Sequence, residues 1–249
     1  MSQNVSESLT PAAAGSPRRA AVAHVVPFIA WMLLMSALGW FGADHAWKYA
    51  ARTGVCALLC VYLRPWRWYP AAKLKNIPWA VAAGALVYVI WVFPEMTWGP
   101  RMPWIQEMYL RFGVRPLGEF PVADLLSNGK NMYDPAVCGW PLSLIRLGGS
   151  AFVIAVIEEF FFRGFLYRWI IDRDFTRVDI ARFDWEAFGM MVLMFGIEHH
   201  RWLAGMLAGV IYLFVMLKTR DIWAAVLAHV ITNFMLAVYV LKSGYYAFW

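Results

Sequence analysis

Ala151-Phe-Val-Ile-Ala-Val-Ile-Glu158-Glu159-Phe-Phe-Phe-Arg163 sets two adjacent acids and a base inside a run of apolar residues. The apolar character continues on both sides, over about residues 147–171, which supplies the ~20 residues that a ~30 Å hydrocarbon core demands. A charged side chain at mid-membrane costs about 2.5–3.5 kcal/mol on insertion scales, so three in one span require compensation. Glu159 and Arg163 stand one helical turn apart and share a face, where they neutralise each other. Glu158 is turned about 100° away. It needs a partner from another helix, or a proton. If all three served only to hold helices together, the Glu159–Arg163 pair would suffice and Glu158 would add only cost.

Six further apolar runs lie outward from this one, at about residues 20–43, 47–63, 77–93, 184–200, 202–217 and 221–241. The expected fold is therefore all-α: a polytopic membrane protein with about seven transmembrane helices, six to eight. Composition agrees. Of 249 residues 61% are apolar and 15% charged, against about 25% charged in soluble domains. Tryptophans such as Trp47, Trp79, Trp140, Trp202 and Trp223 fall at or near the ends of apolar runs, where headgroups meet hydrocarbon. The run from Ala20 is too long for the apolar part of a cleaved signal peptide, and reads as an uncleaved first span. The net charge of +6 sits in short basic clusters between spans, which sets orientation and argues against a nucleic-acid partner. Cys56 and Cys60 lie four apart on one apolar helix and Cys138 is alone, so no disulfide framework is expected.

Residues 1–19, rich in Ser, Ala and Pro, read as a disordered tail, and residues 20–249 as one membrane domain. Within it, residues 94–146 hold seven prolines and read as an extramembrane loop with short interfacial helices. With the N-terminus on the cytoplasmic side, inner segments carry twelve basic residues and short outer segments four, which favours N-in and C-out.

Two other spans bring chemistry. One ends Phe195-Gly-Ile-Glu198-His199-His200-Arg201, where His200 and Arg201 suit interfacial anchoring. The last contains Ala228-His229-Val-Ile-Thr-Asn233, with His229 and Asn233 on one face. Taken alone, these could be interhelical hydrogen bonds. Taken together, a carboxylate, an imidazole and an imidazole with an amide converge from three spans. A base, a proton shuttle and hydrogen-bond donors for an oxyanion are what amide hydrolysis requires. No Ser or Cys has comparable company, so water is the nucleophile.

At these residues the chain resembles the CAAX prenyl endopeptidase and bacteriocin-processing (CPBP, Abi) family of intramembrane proteases. Glu158-Glu159-Phe-Phe-Phe-Arg163, Phe195-Gly-Ile-Glu-His199 and His229-Val-Ile-Thr-Asn233 are similar to that family's three motifs, in order and at family-like separations over about residues 145–241. The resemblance implies an intramembrane glutamate-type endopeptidase in which Glu158 and His199 activate water and His229 and Asn233 hold the oxyanion. Glu159 and Arg163 support the site, and no metal or other cofactor is required. It implies a protein or peptide substrate, membrane-anchored or otherwise, surrounding membrane lipids as partners, and a place in the inner or plasma membrane of a bacterium. The length and the Pro-rich loop are similar to the subgroup encoded with bacterial exosortase sorting systems. The extra titratable groups Glu198 and His200 depart from the family pattern. Two rival readings stand beside this one: a zinc protease with Glu158, His199 and His229 as ligands, and a non-catalytic scaffold or immunity protein.

Overall fold

In the computed structural model the described residues are 16–42, 45–97, 101–114 and 131–249. All their regular structure is helical. We label the main helices α1 (Pro17–Gly39), α2 (Ala46–Leu63), α3 (Ile77–Val92), α4 (Pro103–Phe112), α5 (Trp140–Ile171), α6 (Trp185–Glu198), α7 (Trp202–Thr219) and α8 (Ile222–Ser243). Residues 1–15, most of the expected tail, lie outside the described residues, while Pro17, Arg18 and Arg19 already belong to α1. Residues 98–100 and 115–130 of the expected Pro-rich loop also lie outside. The rest of that stretch contains α4, and α5 begins at Trp140, so residues 140–146 are its first turns.

The helix ends follow local chemistry. Pro17, Pro78, Pro103 and Pro141 stand in first turns, where no amide hydrogen is needed. Asp184 caps α6 by accepting from the Ala187 amide at 3.0 Å. Asp221 caps α8 through the Trp223 amide at 3.0 Å, and its second oxygen accepts from the Lys73 amide at 3.0 Å and Asn76 Nδ2 at 2.9 Å. One buried carboxylate thus ties the start of α8 to the start of α3. Between α2 and α3, burial pushes the Tyr69 phenol up to about 12. It stays protonated, donates to His24 Nε2 at 2.9 Å and accepts from Arg168 at 3.4 Å, joining α1 to the end of α5.

Five segments are long and apolar enough to cross a membrane: α1, Leu74–Met96 around α3, α5, α7 and α8. The protein is an all-α polytopic integral membrane protein. The expected spans at α2 and α6 are not among the five. α6 has 14 residues, about 21 Å at 1.5 Å per residue, short of a ~30 Å core. α2 has 18 residues with Lys48 and Arg52 in its first half. Outward-facing residues such as Leu33, Leu58, Leu86, Phe152, Leu193, Phe214 and Phe234 are exposed, the surface expected against lipid.

α8 is the most enclosed span, with half of its apolar window buried. It packs on α3, α5 and α7. Close approach to α3 depends on Gly84, where an added Cβ would stand 2.6 Å from the Ala228 carbonyl oxygen. α5 is not a uniform α-helix. Gly149–Ile154 and Phe160–Leu166 are π-helical, with one α turn, Ala155–Glu159, between them. Such widened turns concentrate at functional sites. Here they bracket the two glutamates.

Candidate active site

Glu158 and Glu159 occupy that short α turn, and both are buried. Arg163 donates from Nη1 to Glu159 Oε1 at 3.0 Å, as the one-turn spacing predicts, with both side chains wholly shielded. Its Nη2 donates to the Gly209 carbonyl at 3.3 Å on α7, and its guanidinium lies 4.1 Å from the Phe195 ring on α6. The pair therefore joins three helices.

Glu159 has a second partner that the sequence does not reveal. His229 Nδ1 lies 2.9 Å from the same Oε1. The carboxylate is held by a guanidinium, so it accepts and the imidazole donates. This fixes the ring: in neutral His229 the proton is on Nδ1, and Nε2 faces Glu158 Oε2 at 3.7 Å. His229 also stacks on Tyr212, with centroids 4.8 Å apart. Tyr212 donates to Thr232 at 2.7 Å, and Thr232 in turn bonds the Gly84 carbonyl at 2.9 Å. The imidazole is thus held by its edge and its face. His229 can donate from Nε2 only as the imidazolium.

His199 ends α6, and its Nδ1 donates to the Phe195 carbonyl at 2.8 Å. A carbonyl can only accept, so the neutral ring leaves Nε2 without a proton, the form a base needs. The turn here is tight: an added Cβ on Gly205 of α7 would lie 3.2 Å from both Gly196 Cα and His199 Cβ. Asn233, one turn after His229, donates from Nδ2 to the Ser150 carbonyl at 2.9 Å, at the first π turn of α5.

A cavity of about 430 Å³ brings these groups together. Glu158, His199, His229 and Asn233 line it, as do Glu198, His200, Tyr212 and Thr232. Glu159 and Arg163 lie behind the lining, in contact through His229. Oε2 of Glu158 and Oε2 of Glu198 are both buried without a hydrogen-bond partner among the described residues. Two unsatisfied carboxyl oxygens facing one cavity make a place for water or a polar substrate group. Among the described residues no group of three or more His, Cys, Asp or Glu side chains is arranged to hold a metal ion.

Arg201 is not an interfacial anchor. It is buried, and its Nε and Nη2 reach Glu95 at 2.6 and 2.8 Å, while Nη1 donates to the Ala247 carbonyl at 2.8 Å. This forked pair ties the residues after α3, the start of α7 and the C-terminal segment together beside the cavity. The sequence held no local signal for it, since Glu95 is separated from Arg201 by more than a hundred residues. Glu198 did have a signal, its place beside His199, although its orientation into the cavity depends on the helix end.

Residues 140–235 match the family described as "Rce1-like: Type II CAAX prenyl endopeptidase Rce1-like". No curated protein and no solved structure matches the chain. The matched stretch, less than half of the chain, holds Glu158, Glu159, Arg163, His199, His229 and Asn233, and over it the chain is similar to that family.

Proposed function

We propose that the chain is an intramembrane endopeptidase of the glutamate type, cleaving a membrane-anchored protein or peptide with an activated water and without a metal. The observation that carries this reading is the convergence of Glu158, His199, His229 and Asn233 on one cavity inside a bundle of membrane helices. In the reaction Glu158, with His199 Nε2 beside the same cavity, takes a proton as water attacks the scissile carbonyl. The tetrahedral oxyanion is met by the Asn233 amide and by imidazolium His229, whose charge Glu159 balances. The proton taken from water then passes to the leaving amine as the C–N bond breaks. Glu198 adds a second carboxyl to the same space and can share or relay that proton. The setting is the inner or plasma membrane of a bacterium, with the N-terminus cytoplasmic.

The oxyanion assignment is tested at Asn233. Loss of one oxyanion donor typically costs about 10²–10³ in kcat, so Asn233→Ala is expected to insert and fold normally and to lose turnover on that scale. Near-full activity would leave His229 and Asn233 as helix-to-helix hydrogen bonds. The metal assignment is tested separately, by metal analysis of active protein and by a strong chelator. The expected result is retained activity; stoichiometric zinc, with activity lost on removal and recovered on return, overturns it.

A further inference from the structure

Along α5, Arg146, Ser150, Ile154 and Glu158 recur every four residues, and all four line the cavity. The far end of this stripe is basic. Arg52 of α2 lines the same cavity, and its guanidinium lies 3.9 Å from the Trp31 ring and 5.2 Å from Tyr49. Arg146 lies 4.3 Å from the same Tyr49 ring and 5.0 Å from Tyr133. Aromatic contact occupies the faces of a guanidinium and leaves the N–H edge, the part that grips a carboxylate, available. Among the described residues neither arginine has a carboxylate partner, whereas Arg163, Arg177, Arg201 and Arg220 each have one. Nε of Arg52 and Nε of Arg146 are both buried without a hydrogen-bond partner. Two like charges held around one tyrosine, neither paired with a carboxylate among the described residues, carry a cost that a bound anion would remove.

We infer that Arg52 and Arg146 form an anion clamp at the end of the cavity remote from Glu158, and that it binds a carboxylate of the peptide substrate. This rests on the peptidase reading above. Its consequence is a spacing rule. Arg146 precedes Glu158 by twelve residues, at most about 18 Å at 1.5 Å per residue, and an extended peptide covers that in about five residues. The clamped carboxylate therefore lies about five residues or fewer from the bond that is cut. A free C-terminus and an acidic side chain offer the same chemistry, and binding separates them.

The experiment measures binding rather than cleavage, so it stands whether or not hydrolysis is observed. Full-length protein in detergent is titrated with three dansyl-labelled peptides: Ala-Leu-Leu-Ala-Leu as the free acid, its C-terminal amide, and the amide with Glu in the last position. Hydrogen bonds to a charged group predict that a carboxylate probe binds about ten- to a hundredfold more tightly than the neutral amide. Preference for the free acid assigns the clamp to a C-terminus, and preference for the Glu amide assigns it to a side chain. In Arg52→Gln/Arg146→Gln the preference should vanish while the neutral amide binds as before. The corresponding double Lys variant should keep part of it. Equal binding of all three probes, no binding of any, or a preference that survives in the Gln variant overturns the clamp. So does a change in neutral-amide binding in both double variants, which would make the arginines structural.

Discussion

Glu159→Gln is expected to fail twice, once in folding and once in chemistry. The carboxylate is the sole acidic partner of Arg163 among the described residues, and the pair is fully buried. Removing one member of such a pair costs roughly 3–5 kcal/mol, because the other charge is stranded. Detergent-solubilised yield and melting temperature should both fall. Arg163→Met in the same chain removes the stranded charge and should restore much of the yield. It should not restore turnover, because Glu159 also accepts from His229 Nδ1 at 2.9 Å. Without the anion the imidazolium loses a charged hydrogen bond, a loss of about ten- to a hundredfold in rate. The double variant, folded but slow, separates the two roles. If it recovers full activity with its yield, the contact with His229 is incidental.

Glu158→Gln is expected to do the opposite. Glu158 has no hydrogen bond through Oε2, and His229 Nε2 lies 3.7 Å from that oxygen. Gln fits the same space, and the melting temperature should stay at or above that of the wild type. General-base catalysis typically contributes about 10²–10⁴, and turnover should drop by at least that much. Measuring yield, melting temperature and rate for the variants together assigns the base. A stable, inactive Glu159→Gln beside an active Glu158→Gln would reverse the assignment.

How far the sequence could be read follows the range of each interaction. Signals within a helix were legible: the apolar runs, the Glu159–Arg163 pair and the shared face of His229 and Asn233 all depend on neighbours one turn away. Signals between helices were not. The bond between His229 and Glu159, the clasp of Arg201 on Glu95 and the pairing of Arg52 with Arg146 around Tyr49 join residues tens to more than a hundred positions apart. Nothing in composition or periodicity carries those registers. Helix lengths were legible only approximately. The apolar run at 184–200 reads as a span until Asp184 caps it and His199 turns away, leaving a helix too short for the core. The π-helical turns of α5, which bracket the glutamates, leave no period that a ruler of 3.6 residues detects.

The proposed enzyme hydrolyses peptides with the acids and imidazoles around this cavity. Its most direct test is mass spectrometry of membrane-anchored peptides incubated with purified protein reconstituted in lipid, wild type beside Glu158→Gln at equal folded amounts. Cleavage at a defined bond by the wild type, insensitive to chelators, and none above background by the variant are expected. Equal cleavage by both, or no cleavage by either while Glu158→Gln still restores the phenotype of a deletion strain, would contradict it.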